Sequence, residues 1–243
     1  DLSEERQYLG ESPARRALLP YLRHRRIDAI DLAILSHPHP DHYLGLQAVA
    51  REMPIAELWS VHEKRETPGQ FELWLERLER GGTVVRQPRL GLAWSERGVD
   101  LQVLWPRYEG PIAAPDPILS VNDNSLVVRI DFAGRRILFT GDIESEAEEL
   151  LVSEYASELV ADVVKVAHHG SPTSSTRAFA EAIGPAVAVI SCGVANRFNF
   201  PGPEVVDRWL DSAHLLLRTD EVGSVSVEIS RDGEMQIETS LPF

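Results

Sequence analysis

The stretch Ser36-His37-Pro38-His39-Pro40-Asp41-His42 packs three imidazoles and a carboxylate into its last six residues. An extended backbone sends alternate side chains to the same side, so His37 and His39 can reach one metal ion. Asp41 and His42 follow where the chain turns into a helix, and there they can face a second ion. Imidazole nitrogens and carboxylate oxygens are donors that zinc, manganese and iron all accept. Pro38 and Pro40 restrict the backbone and lower the entropy cost of holding the ligands.

A cluster of this kind needs partners from elsewhere in the chain, and two segments offer them. Ile137-Leu138-Phe139-Thr140-Gly141-Asp142 reads as a buried strand ending in a carboxylate whose two oxygens can bridge two ions. Val163-Val164-Lys165-Val166-Ala167-His168-His169-Gly170-Ser171 reads as another, ending in two histidines. Ligands at the same ends of adjacent strands are how an open α/β edge gathers a site. The chemistry expected of two such ions is hydrolysis by an activated water, with Asp41 or a second water taking the proton. His24, His62 and His214 stand alone and read as surface or packing residues.

The elements that must position these groups alternate between helix and strand. Helices are predicted over 12–25 (Ser12 as cap, Pro13 at the first position), 42–52, 68–80, 144–156, 174–183 and 203–213. In the third, Phe71, Leu75 and Leu78 share a face. Strands are predicted over 27–35, 83–87, 99–104, 125–132, 135–140, 162–167, 186–191 and 214–218, with a last hairpin 223–230/234–239. Residues 106–120 are Pro-rich and read as a surface loop. Gly170-Ser171 with Thr173-Ser174-Ser175 has two open readings: hydrogen bonding to a substrate phosphate, or capping of helix 174–183.

Bulk composition sets outer limits. The 243 residues, 43% hydrophobic and 26% charged, suit one large domain or two small ones. The single cysteine, Cys192, sits in an apolar run and reads as a buried structural thiol. No run approaches the roughly 20 apolar residues of a membrane span, and the charged start does not resemble a signal peptide. A formal charge of −14, from 24 basic and 38 acidic side chains, counts against a polyanion partner.

The motif His37-x-His39-x-Asp41-His42, the Gly141-Asp142 strand end and His168-His169-Gly170-Ser171 resemble the metallo-β-lactamase superfamily. Within it the chain is most similar to the metallo-hydrolase domain of ComEC-type competence proteins. Asn122-Asp123-Asn124-Ser125-Leu126-Val127 and Arg218-Thr219-Asp220 followed by Gly223 carry that narrower likeness. The resemblance implies an α/β fold, the αββα four-layer sandwich, with residues 1–243 forming a single hydrolase domain. The family's usual first β-hairpin, with its Val-Gly-Gln-Gly-Asp stretch, is expected to be missing because the chain starts at Asp1-Leu2-Ser3.

The resemblance also implies the site. His37, His39 and His169 hold one divalent ion, zinc or manganese; Asp41 and His42 hold a second; Asp142 bridges. Asp41 and Asp142 then carry the catalysis, and His168, Ser171, Asn124 and Thr173 lie in a supporting shell or meet substrate. Asn124 stands near the superfamily's middle histidine, and Phe200 stands where relatives carry a histidine. The implied activity is a phosphodiesterase or nuclease acting on DNA in uptake, in a soluble domain attached to a bacterial inner-membrane protein. Two alternatives stay open: a hydrolase of a small ester, lactone or amide, and a catalytically weak metal-binding module. A basic rim of Arg15, Arg16, Lys64, Arg65 and Arg197 around the site would favour nucleic acid.

Overall fold

A computed structural model describes residues 14–61, 69–107 and 115–242. The expectations for Ser12, Pro13, His62, Lys64, Arg65 and residues 108–114 lie outside the described residues. The chain divides into two compact units, Asp1–Pro88 and Arg89–Phe243.

In the first unit a short wide helical turn, Ala14–Leu18, continues as α1 (Leu19–His24). Three parallel strands follow in the order β1 (Ile30–Leu35), β2 (Ile55–Ser60), β3 (Val84–Arg86). Parallel strands need crossovers, supplied here by α2 (Pro40–Ala50) and α3 (Gln70–Arg80). Phe71, Trp74 and Leu75 of α3 are buried at helical spacing, with Leu78 packed beside them. They meet Ala33 and Leu35 of β1, Tyr43 of α2, and Ile55 and Leu58 of β2. Gly69 opens α3 by donating its N–H to Glu72 Oε2 (2.8 Å). Strand β2 is an addition to the sequence expectation: Ile-Ala-Glu-Leu-Trp-Ser mixes buried and exposed positions without a period of two.

The second unit is built on a seven-stranded mixed sheet. From one edge to the other its order is β10 (Leu215–Arg218), β9 (Val187–Ile190), β8 (Val163–Lys165), β7 (Arg135–Phe139), β6 (Val127–Phe132), β5 (Val99–Trp105) and β4 (Ala93–Glu96). Strands β10 to β7 run parallel, and β7 to β4 antiparallel. Ala133 and Gly134, both at positive φ, make the tight turn between β6 and β7. The parallel half is connected by α4 (Ser145–Leu159), α5 (Arg177–Ile183) and α6 (Pro203–Ser212). Their buried faces, including Leu151, Phe179 and Trp209, pack with Leu138, Val164 and Ala188 of the sheet. Burying a Phe or Leu completely stabilises the fold by about 1.5–3 kcal/mol each. A short helix α7 (Thr219–Val222) leads to the hairpin β11 (Val225–Ile229) and β12 (Met235–Thr239). Its Val225, Val227, Met235 and Ile237 pack with Val163, Val187 and Leu217.

The register of the parallel half decides where chemistry can gather. Phe139 lies opposite Lys165, and Lys165 opposite Val189. The segments leaving β7, β8 and β9 therefore emerge side by side, bringing Asp142, His168-His169 and Ser191 to one sheet edge. No helix of the described residues is long and apolar enough to cross a membrane.

Candidate functional site

Within the first unit, β1 ends at Leu35 and delivers the histidine cluster. His37 is completely buried, and its Nε2 lies 3.0 Å from Nδ1 of His39. The His37 and His42 rings are 4.2 Å apart, centroid to centroid. Ser36 Oγ lies 3.1 Å from His37 Nδ1 and 3.4 Å from His42 Nδ1. His39 stays extended (φ −75°, ψ 147°), and Pro40 takes the first helical position of α2, where a missing N–H costs nothing. The His39 carbonyl accepts the N–H groups of His42 (3.0 Å) and Tyr43 (3.1 Å), which fixes His42 one turn above the strand end. Asp41 is exposed on that first turn, with Oδ2 3.8 Å from His42 Nε2.

Within the second unit, Asp142 is 2% exposed and His169 Nε2 lies 3.3 Å from its Oδ2. His169 Nδ1 sits 2.7 Å from the Ser191 carbonyl, an acceptor only, so Nδ1 carries the proton. The ring is thereby held with Nε2 turned toward Asp142, and a neutral ring with its proton on Nδ1 is the tautomer a metal ligand needs. Ser125 Oγ accepts the Asp142 N–H (3.1 Å). Lys165 donates to Asp142 Oδ1 (3.1 Å) and to the Gly141 carbonyl (2.7 Å), placing a positive charge beside the buried carboxylate.

The turn carrying the histidines is strained. His168, His169 and Gly170 all have positive φ (46°, 55° and 81°), a region that costs non-glycine residues of order 1 kcal/mol or more. A Cβ on Gly170 would lie 2.6 Å from Pro201 Cβ, so this turn packs directly against the loop before α6. The Gly202 N–H donates to the Gly170 carbonyl across the same contact (2.9 Å).

The supporting residues take several roles. His168 Nδ1 is 3.3 Å from Glu144 Oε1, and the ring meets Phe200 edge-on at 5.7 Å. Ser171 Oγ is 2.9 Å from Thr173 Oγ1, which also donates to Glu144. Asn124 spends its amide on its own loop: Nδ2 donates to the carbonyls of Asp116, Leu119 and Ser120, and Oδ1 accepts the Asp116 N–H. Asp123 Oδ1 accepts the N–H groups of Glu144 (2.8 Å) and Ala147 (3.2 Å), so a residue distant in sequence caps α4. Of the two readings left open for Thr173-Ser174-Ser175, neither describes Ser174 and Ser175. Both are buried; Ser174 donates to the Ala167 carbonyl and the Ser175 N–H to Glu148. Thr176 is the cap of α5, accepting from Phe179.

Two ionisable groups beside this region are shifted. Burial pushes the Glu148 carboxyl up to about 7, against the lowering effect of the Thr176 and Ser175 N–H groups. Burial, then its hydrogen bond to Asp220 (3.1 Å), pushes the Cys192 thiol up to about 11. Cys192 is half-buried rather than buried, because it lies just past the end of β9, and its raised value makes it a poor nucleophile. His24 and His214 are exposed.

The donor spacings can be compared with what a cation requires. Two ligand atoms about 2.0–2.1 Å from a tetrahedral zinc lie roughly 3.3 Å from each other. The His37–His39 spacing of 3.0 Å and the His169–Asp142 spacing of 3.3 Å both fall near that value. Each unit thus presents a nitrogen or oxygen pair that fits a divalent ion. A family model for the metallo-beta-lactamase superfamily matches residues 6–194, a stretch that contains His37, His39, Asp41, His42, Asp142 and His169.

The chain belongs to the metallo-beta-lactamase superfamily. Superfamily members are generally metal-dependent hydrolases. The chain is 31% identical over 220 residues to Competence protein ComA of Neisseria gonorrhoeae, covering 90% of this chain and 28% of that protein. It is 29% identical over 217 residues to ComE operon protein 3 of Bacillus subtilis strain 168, covering 89% of this chain and 26% of that one. The chain thus spans about a quarter of the length of these curated relatives. Among solved structures, a mutant of the CmlA β-hydroxylase shares the fold at a TM-score of 0.53 and 16% identity, over 79% of this chain and 43% of that one.

Proposed function

We propose that the chain is a metal-dependent phosphodiesterase that cleaves single-stranded DNA. The observation that carries this reading is His169, with Nδ1 committed to a backbone carbonyl and Nε2 3.3 Å from buried Asp142. The family match spans residues 6–194 and so takes in parts of both units, which supports reading them as one domain. In this reading His37, His39, Asp41, His42, Asp142 and His169 would supply the ligands of two divalent ions. When bound, two divalent ions, zinc or manganese, supply Lewis acidity toward a phosphoryl oxygen and ease the deprotonation of water.

The chain's own groups do the rest. Asp41, exposed on the first turn of α2, takes the proton of the attacking water. Lys165 orients Asp142 and sets a positive charge against it through its 3.1 Å contact. His168, its Nδ1 3.3 Å from Glu144 Oε1, is assigned the role of donor to a phosphoryl oxygen. The name of one relative, a competence protein, supports DNA as the substrate and a role in its uptake.

The formal charge of −14 favours a second reading, a hydrolase of small esters, lactones or amides. Cleavage assays separate the two. With Mn²⁺ or Zn²⁺ the protein is expected to hydrolyse bis-p-nitrophenyl phosphate and to cut single-stranded DNA, and Asp41→Ala is expected to abolish both with the circular dichroism unchanged. Rapid turnover of p-nitrophenyl acetate with intact phosphodiesters would select the second reading.

A further inference from the structure

The loop between β9 and α6 contains a feature that the hydrolytic chemistry does not use. Phe198 and Phe200 are stacked, with centroids 5.4 Å apart and planes 20° from parallel. The Arg197 guanidinium lies 4.6 Å over the Phe198 ring. Phe198 remains 56% exposed, an unusual place for an aromatic side chain that could have been buried.

Asn196 holds this loop rigid. Its Oδ1 accepts the N–H groups of Phe198 (3.2 Å) and Phe200 (3.0 Å), while Nδ2 donates to the carbonyls of Gly193 (3.0 Å) and Phe200 (2.6 Å). The rings therefore pay little ordering entropy when something docks on them. Phe200 also touches His168 edge-on at 5.7 Å, so the stack begins beside the histidine turn of the same unit.

We propose that Arg197, Phe198 and Phe200 form a platform on which a nucleobase of single-stranded DNA stacks while its neighbouring phosphodiester reaches the histidine turn. This rests on the phosphodiesterase reading above and names how its substrate is held. The composition favours stacking as the source of affinity: 24 basic against 38 acidic side chains leave little general attraction for a polyanion. Every base offers a π-face, and an aromatic contact contributes without sequence preference. A guanidinium lying on a ring can give way to a base and turn to the phosphate. One such contact predicts a shallow salt dependence, with log Kd rising by roughly 0.7 for each tenfold increase in salt.

The test compares a fluorescein-labelled oligothymidylate with an abasic oligomer of equal length and charge, by anisotropy in EDTA on the full chain. The oligothymidylate is expected to bind at least about tenfold tighter, the scale of one stacked base. Phe198→Ala is expected to erase that preference, and Phe198→Trp to keep it. Equal affinity for the two oligomers, or an unchanged preference in Phe198→Ala, overturns the platform. Cleavage of both oligomers with Mn²⁺ is scored separately. If neither is cut, the phosphodiesterase reading fails; if both are cut with no base preference in binding, only the platform fails.

Discussion

Asp142→Asn is expected to lower phosphodiester hydrolysis about a thousandfold or more while leaving the fold intact. The carboxylate is buried at the end of β7, within 3.3 Å of His169 and 3.1 Å of Lys165. Asparagine preserves its size and can still accept from Lys165 through one oxygen. It offers no second oxygen, so it cannot bridge two cations, and it no longer balances the charge of a metal pair. Two-ion assistance is worth several kcal/mol of transition-state charge stabilisation, which sets the scale of the loss. Rates on bis-p-nitrophenyl phosphate, with circular dichroism and thermal melts as controls, check it. Activity within about tenfold of the parent protein would remove Asp142 from the centre.

The second large effect concerns stability and pH. Glu148 is fully buried on α4 and receives the N–H groups of Ser175 and Thr176, the latter at 2.7 Å. It thereby ties α4 to the segment that follows the histidine turn. Burial raises its carboxyl from the ordinary 4.5 to about 7. A folded value above the unfolded one means that the native state binds the extra proton. The associated stabilisation is complete below about 4.5 and is lost as the pH rises through about 7, on the order of 3 kcal/mol in all. Glu148→Gln cannot titrate, and its amide NH₂ opposes one of the two backbone donors, a fixed cost. The stability of the parent protein relative to this variant should therefore fall between about pH 5 and pH 8, measured from urea midpoints. A difference that does not change with pH would show that the carboxyl ionises freely in place.

Much of the proposed centre is legible in the amino-acid sequence because the residues proposed as its ligands sit at strand ends. The apolar runs before His37, Asp142 and His168 are β1, β7 and β8, and a strand of known direction delivers its next residues to a known edge. The groups that hold those ligands are less visible. The acceptor for His169 is the carbonyl of Ser191, a backbone atom that any residue would supply. Lys165 lies inside the strand pattern, where an isolated charge carries no period. Glu148 looks like a solvent-facing helix position, and only the packing of α4 buries it. Strand β4 is short, mostly exposed and at a sheet edge, so it has no alternation to read. Ser174 and Ser175 have the composition of a helix cap, yet Thr176 takes that role because the two serines are drawn into buried hydrogen bonds.

The central claim of the proposal is that the histidine cluster after β1 and the groups after β7 and β8 are all metal ligands. Metal content by inductively coupled plasma mass spectrometry, after dialysis against trace zinc or manganese, tests it most directly. Two ions per chain are expected in the parent protein, with occupancy falling both in His39→Ala and in His169→Ala. Full occupancy in either variant, or a parent protein that retains no divalent ion, would contradict it.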